Sequence, residues 1–418
     1  MIMLVLAGLL ALLLIAASFA LASFWAVAAW HAARVAVLFP TARSFLHRRR
    51  RAGDDPPSPA PAVCVLVPAH NEEAVIADLA HSLLAQDYPA MRVVFVLDRC
   101  TDRTRERLER VVGADGRFEI LDIDRCPADW AGKVHALWTA ASSSPAARSA
   151  DLLLFADADT ILDPRCVRST VGLLRARGLD MLTLLSTLTA DRWFERVVQP
   201  ATAIELVRQY PLERVNRYPS RRPFANGQFI LFRRDAYDRI GGHSAVKAET
   251  FEDVRLAQHA GRNRLRLGAF LADHMLYCRM YKDWDEFQRG WNRIYSESCN
   301  RRPRRLRKAA RVVLTVGTCL PAAAAACVLL GLLLPRLLDG STAELIGEAA
   351  LVAGAASLAW FFLVLAALYR LGGMPVWTVL FYPVGAWLAS RILRQTADDL
   401  EHRRPVLWGG RAYARAAR

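Results

Sequence analysis

The first thirty residues, Met1 to Trp30, carry no charged side chain and are almost wholly apolar. As a helix rising about 1.5 Å per residue, such a run is long enough to cross a hydrocarbon layer of about 30 Å. A cleaved signal peptide would have a basic start and a shorter apolar core. A retained transmembrane helix is therefore expected, with His31 to Pro40 continuing it into the interface. Three further apolar segments follow much later, at Val312 to Leu334, Leu345 to Tyr369 and Met374 to Leu393. Pro375 and Pro383 interrupt the last of them.

A hydrophobic fraction of 54% coexists with 23% charged residues because the apolar residues are clustered at the two ends of the chain. The formal net charge is +15. Its arginines concentrate in runs beside apolar segments, Arg48 to Arg51 and Arg301 to Arg311. The positive-inside rule places both runs, and the segment between them, on the cytoplasmic side of a cell (inner) membrane. Three full spans after that segment would carry the basic tail outside, so Met374 to Leu393 is expected to be re-entrant or interfacial. No nucleic-acid-binding motif accompanies the charge, and nucleic acid is not an expected partner. The eight cysteines form no CxxC pair and indicate neither a zinc site nor a disulfide framework. The expected division is an N-terminal membrane helix over 1–40, a basic and Pro-rich linker over 41–61, a cytoplasmic domain over 62–300, a membrane region of two to three helices over 301–393, and a basic tail over 394–418.

Within 62–300 the pattern alternates. Val63 to Pro68, Val93 to Leu97, Phe118 to Leu121 and Asp151 to Ala156 are short apolar runs of the kind that form buried strands. Asn71 to Ala85, Thr101 to Val112 and Gly132 to Ala141 have helical character between them. Alternation of this kind predicts a doubly wound parallel α/β sheet. Such sheets bind ligands at the carboxyl ends of their strands. Asn71, Asp98, Asp157 and Asp159 all fall just after predicted strands, so they point to one rim.

Asp157-Ala158-Asp159 sets two carboxylates two residues apart where a strand leaves the sheet. They can turn together towards one hard cation and its phosphate ligands, and such a cation would neutralise a diphosphate leaving group. Taken alone, the motif reads as an acidic loop. Its weight comes from its company: Pro68-Ala69-His70-Asn71-Glu72-Glu73, then Asp98, Gly132-Lys133, Asp157-Ala158-Asp159 and Glu252-Asp253.

In that order these residues resemble the family 2 inverting glycosyltransferases of GT-A fold, over roughly residues 62 to 300. The resemblance implies a mixed doubly wound sheet, with a Rossmann-like nucleotide-sugar half, an acceptor half and flanking transmembrane helices. It implies donor contacts from Pro68, Glu72, Asp98, Lys133 and Asp157. It implies a divalent metal, Mg²⁺ or Mn²⁺, on Asp159 and Asp157, and Asp253 as the general base. The expected donor is a nucleotide-diphosphate sugar, a UDP-sugar first.

The acceptor side is expected from Gly227 and Gln228 in Asn226-Gly227-Gln228-Phe229, from Glu252, and from Gln288, Arg289, Trp291 and Arg293. His243 is either an acceptor contact or a structural ring, and Arg279 either meets phosphate or forms a surface pair. The Gln288 stretch is similar to the QxxRW motif of processive and ceramide-type relatives. It departs from that motif: the Gln–Trp spacing is one residue short, and no Arg directly precedes Trp291. That departure argues against processive chain synthesis. The stretch also resembles hopanoid-associated and carotenoid-type enzymes, so the expected acceptor is a membrane lipid hydroxyl. The alternatives are a processive polysaccharide synthase and a non-catalytic scaffold with a degenerate transferase domain. Trp408-Gly409-Gly410-Arg411-Ala412-Tyr413 resembles a WxGRxY element of lipid-modifying relatives.

Overall fold

The computed structural model describes residues 2–46, 60–249, 251–404, 406–408 and 411–413. The Arg48 to Arg51 run, the Asp54 to Pro57 breaker, Gly409 and Gly410 lie outside the described residues. Two compact units emerge, one of residues 38–189 and 210–282, the other of 1–37, 190–209 and 283–418.

The first of these contains a seven-stranded sheet. Its strands are β1 (Val63–Ala69), β2 (Met91–Asp98), β3 (Phe118–Ile123), β4 (Leu152–Ala156), β6 (Met181–Leu185), β7 (Phe229–Arg233) and β8 (Leu267–Leu271). A separate ribbon pairs β5 (Thr160–Leu162) with β9 (Leu276–Cys278). The sheet order is β3-β2-β1-β4-β7-β6-β8. Val63, Val65 and Val67 enter one apolar core and Cys64 and Leu66 the other. That division follows from the two-residue strand period with both faces covered, and it is why β1 reads as an unbroken apolar run. The parallel expectation holds for β1 to β4. It fails at β7, which runs antiparallel to both β4 and β6. The sheet is therefore a single mixed α/β Rossmann-like sheet. The alternation continues past Asp157 through helix Cys166–Ala176 to β6, which pairs parallel with β8, and β7 enters from a loop to run antiparallel between β4 and β6.

Among the described residues four helices are long and apolar enough to cross a membrane, over Ile2–Leu46, Pro303–Leu337, Ser341–Gly372 and Val376–Glu401, and the second unit holds the last three together with the first as far as residue 37. Pro383 does not break the last one, because it sits in the first turn of helix Tyr382–Glu401, where no amide hydrogen is needed. A π-turn at Thr315–Cys319 interrupts the second. The Val316 carbonyl beside it accepts a hydrogen bond of 3.2 Å from the Trp25 indole, which is packed among Phe361 and Tyr382. Helices Leu320–Leu337 and Ser341–Gly372 approach through glycines. A Cβ on Gly331 would lie 2.6 Å from the Leu351 nitrogen and 2.7 Å from the Gly347 carbonyl, and one on Gly347 would lie 2.7 Å from Pro335. Small residues of this kind let membrane helices touch along their backbones.

Gly331→Leu is accordingly expected to force the hairpin apart at a cost of about 1–3 kcal/mol. The melting midpoint of detergent-solubilised protein, followed by tryptophan fluorescence, should fall by several degrees. Gly8→Ala, whose added carbon would meet only Ile346 at 3.8 Å, serves as the control. Equal midpoints for the two variants would show that the close approach is not needed.

Candidate active site

At the carboxyl end of β1 the chain turns through Asn71, whose φ of 58° is one that asparagine tolerates better than most residues. Its side-chain oxygen accepts from the Thr101 amide at 2.8 Å. The Glu72 amide donates to the Thr104 hydroxyl at 2.8 Å, and the Glu73 amide to Asp102 at 3.1 Å. The His70 ring reaches the Asp98 carbonyl at 2.6 Å. The loops after β1 and β2 are thus tied into one ledge. On it the buried Asp98 carboxylate is gripped by both nitrogens of the Arg99 fork, each at 2.7 Å. A Cβ on Gly132 would lie 2.9 Å from Asp98 and 3.0 Å from Arg99. The Gly132-Lys133 pair is therefore explained at its first position by the space that this ion pair occupies.

Helix Gly132–Ser143 places Lys133 in its first turn. The ammonium lies 2.7 Å from Asp157 Oδ1 and 2.6 Å from Glu252 Oε1. Through Lys133 the two contacts together join the β4 rim to the start of helix Glu252–Arg262. Asp253, next in that helix, accepts the Gly227 amide hydrogen on Oδ2 at 2.8 Å and the Val254 amide hydrogen on Oδ1 at 2.7 Å. A Cβ on Gly227 would lie 3.1 Å from Asp253 and 3.2 Å from Lys133, so position 227 leaves room for little beyond a hydrogen. Lys133, Asp157, Gly227, Glu252 and Asp253 thus converge from four separate stretches of sequence. Gln228 is buried, and its side-chain oxygen accepts from the Asn226 side-chain NH₂ at 3.0 Å.

Charge in this corner is one-sided. Glu72, Asp157, Asp159, Glu252 and Asp253 share it with Lys133. Burial works against the Lys133 ammonium, but Asp157, Glu252 and Asp253 outweigh it and hold its pKa above the ordinary lysine value. Burial, then Asp159 and Asp157, push Glu72 up to about 7. Burial and the neighbouring Glu252 raise Asp253, and burial and Asp157 raise Asp159. Carboxyls with raised pKa values are those that a nearby cation would relieve.

The residues present fit a divalent cation. Asp159 Oδ1 is buried with no hydrogen-bond partner, and the remaining donors in this acidic corner are hard carboxylate oxygens. Among the described residues no group of three or more His, Cys, Asp or Glu is arranged to hold a metal. Asp157 and Asp159 would supply two ligands, leaving the rest to phosphate and water.

Two contributors carried no sequence signal. The Thr183 hydroxyl on β6 donates to the Asn226 and Phe229 carbonyls at 3.1 and 2.9 Å and accepts the Asn226 amide hydrogen at 2.9 Å, fixing the turn that presents Gly227. Cys278 on β9 neighbours the Asp159 carboxyl and acts to lower its pKa, while the Arg279 amide donates to the Asp159 carbonyl at 3.1 Å. The β5–β9 ribbon thereby fastens the end of the DxD turn. His243 is buried with its Nδ1 2.8 Å from the Tyr237 hydroxyl, and burial pushes its pKa down to about 4. It is a neutral structural ring here. The Arg279 guanidinium goes to Asp78 at 3.4 Å.

Gln288, Arg289, Trp291 and Arg293 stand on helix Trp284–Ser298 of the other unit. Trp284, Phe287, Trp291 and Tyr295 form a continuous aromatic stripe along it, with neighbouring centroids 5.5, 6.1 and 5.2 Å apart. Trp291 is buried in that stripe, and its indole nitrogen has no partner. Arg289 is exposed, and Gln288 and Arg293 are half-buried. The WxGRxY stretch forms part of an antiparallel ribbon of Val406–Trp408 with Arg411–Tyr413.

Residues 59–288, more than half of the chain, match the family described as glycosyltransferase like family 2. The chain belongs to this family. That meets the expectation of a family 2 glycosyltransferase. The chain is 25% identical over 243 residues to the 4,4'-diaponeurosporenoate glycosyltransferase of Staphylococcus aureus, covering 56% of this chain and 61% of that protein. The chain thus spans about three-fifths of the length of this curated relative. Among solved structures it is similar to the mannosyltransferase PcManGT from Pyrobaculum calidifontis in complex with GDP-Man and Mn²⁺, with 18% identity, 94% of this chain and 98% of that chain covered, and a TM-score of 0.44. It is also similar to the glucosyl-3-phosphoglycerate synthase of Mycobacterium tuberculosis in complex with Mn²⁺, UDP and phosphoglyceric acid, with 19% identity, 62% and 83% covered, and a TM-score of 0.39. At such scores neither likeness bears on the substrate of this glycosyltransferase.

Proposed function

We propose that this glycosyltransferase moves a sugar, with inversion, from a nucleotide-diphosphate sugar to a hydroxyl of a membrane lipid. The catalytic unit faces the cytoplasm of a multi-pass inner-membrane protein, and a UDP-sugar is the donor first expected. The carrying observation is the convergence of Lys133, Asp157, Glu252, Asp253 and Gly227 at the carboxyl rim of the mixed sheet. Asp98 and Glu72 border the nucleotide, and Lys133 and Asp157 face the diphosphate. Asp157 and Asp159 would hold Mg²⁺ or Mn²⁺, which supplies charge neutralisation of the leaving diphosphate when bound. Asp253 takes the proton of the acceptor hydroxyl. Its two oxygens each accept one backbone hydrogen bond, and a carboxylate oxygen has a second lone pair to offer. Gly227, Gln228 and Glu252 shape the acceptor side, and Gln288, Arg289, Trp291 and Arg293 are proposed, from the family resemblance, to meet the acceptor or the donor's diphosphate. Support for the lipid acceptor comes from the four apolar helices and from the family relative that bears the name 4,4'-diaponeurosporenoate glycosyltransferase.

Membranes containing the protein, incubated with radiolabelled nucleotide sugars, should yield a single labelled lipid resolved by mass spectrometry. Long polymer in place of a discrete glycolipid would sink this reading in favour of a processive synthase.

The raised pKa of Asp253 has a kinetic consequence. A base must be ionised to act, so kcat/KM should rise with pH through a limb lying well above the ordinary aspartate value of about 4. An acid limb centred near 4 would show that another carboxylate, or none, removes the proton.

A further inference from the structure

Lys133 is placed where two different tasks compete for it. Its ammonium bridges Asp157 and Glu252 at 2.7 and 2.6 Å, and Asp157 is one of the two carboxylates that fit the cation. A positive charge already in contact with that carboxylate repels a second one arriving there, most strongly where water is scarce. The pocket nonetheless remains acidic, with Asp157, Glu252 and Asp253 all acting on the Lys133 ammonium, and Asp159 keeps an unpartnered buried oxygen. A diphosphate changes this balance, because it offers Lys133 several anionic oxygens at once.

We propose that Lys133 is a displaceable internal counter-ion that makes metal binding depend on the nucleotide diphosphate. This rests on the donor and metal reading given above. Without donor, Lys133 occupies Asp157 and lowers the affinity of the acidic corner for a divalent cation. When the diphosphate enters, Lys133 leaves Asp157 for phosphate oxygen, and Asp157 becomes available as a ligand. Glu252 is the second anchor, which keeps the ammonium within reach of both positions. Lys133 is therefore a positioning residue that couples two binding events. Coupling of this kind is reciprocal, so the factor by which the diphosphate tightens the metal equals the factor by which the metal tightens the diphosphate.

The test is a titration of full-length detergent-solubilised protein with Mn²⁺, following free Mn²⁺ by its electron paramagnetic resonance signal. It is run with Mn²⁺ alone, with UDP or GDP, and with uridine or guanosine, each corrected for chelation by the nucleotide itself. Unmodified protein should bind Mn²⁺ at least tenfold tighter with the diphosphate, and no tighter with the nucleoside. Lys133→Met should bind Mn²⁺ alone about tenfold tighter than unmodified protein, and the enhancement by the diphosphate should shrink to a similar extent, within the roughly 5–150-fold range of ordinary coupling. Lys133→Gln repeats the measurement with a polar side chain. Unchanged affinity for Mn²⁺ alone in these variants overturns the proposal and leaves the donor reading standing. So does a nucleoside that tightens Mn²⁺ as much as the diphosphate does in the unmodified protein, a result that needs no variant. Failure of the unmodified protein to bind Mn²⁺ with any nucleotide overturns the metal reading itself, and this proposal with it.

Discussion

Replacing Asp253 by asparagine is expected to lower kcat by about 10³-fold while metal-dependent nucleotide binding survives. A positioned general base contributes about 10²–10⁴-fold, and asparagine has no basic oxygen of comparable strength. The fold should tolerate the change. Asp253 Oδ2 accepts from Gly227 and Oδ1 from Val254. Asparagine keeps one of these bonds and turns its NH₂ towards the other donor, at a cost of about 1–3 kcal/mol. Against this, the variant removes a charge that burial and Glu252 both disfavour. The melting midpoint should therefore stay within a few degrees of the unmodified protein. UDP binding in the presence of Mn²⁺, measured by calorimetry, should change by less than tenfold, because Asp253 belongs to the acceptor side. A fully active Asp253→Asn protein would place the base elsewhere. Loss of nucleotide binding together with activity would move Asp253 to the donor side.

That prediction could be drafted from sequence, but its energetic detail could not. Strands β1, β2 and β4 were legible because each is a buried apolar run that leads into a polar residue at the same rim, whereas β3, a half-buried edge strand carrying Glu119 and Asp122, gave a weaker pattern. β7 was not legible as antiparallel. Strand direction is set by where the connecting chain returns, and nothing local in Phe229 to Arg233 records it. Lys133 and Asp157 were readable as motif members, yet the Lys133–Glu252 contact joins residues 119 positions apart in sequence. Thr183 left no trace because a threonine in an apolar strand has ordinary β-propensity. Its use comes from three hydrogen bonds made across the sheet. Trp291 shows the opposite case. The departure from QxxRW spacing was visible in sequence, and the aromatic stripe explains what else that position does.

Asp159→Asn should separate stability from function in a way that tests the cation reading without any assay of transfer. In the donor-free protein, burial and Asp157 raise the Asp159 pKa, which means that folding disfavours its ionised form. For a carboxyl of this kind the folded state binds its proton more tightly than the unfolded state. Its unfavourable contribution therefore appears as pH rises above the unfolded value of about 4 and is largest above the raised folded value. Asparagine removes that contribution, so at pH 7.5 the donor-free variant should melt higher than the unmodified protein, by roughly 2–4 °C for each kcal/mol recovered. Adding Mn²⁺ and UDP should reverse the ranking. Ligands that bind only the folded state stabilise it by about 2.7 kcal/mol at one hundred times their dissociation constant, and the unmodified protein should gain this shift while the variant gains little. Transfer should fall by about 10³-fold, since the cation at a leaving group is worth several kcal/mol of charge stabilisation. A variant that melts lower than the unmodified protein without ligand, and gains the same shift with Mn²⁺ and UDP, would mean that Asp159 is a structural carboxylate and that the cation is bound without it.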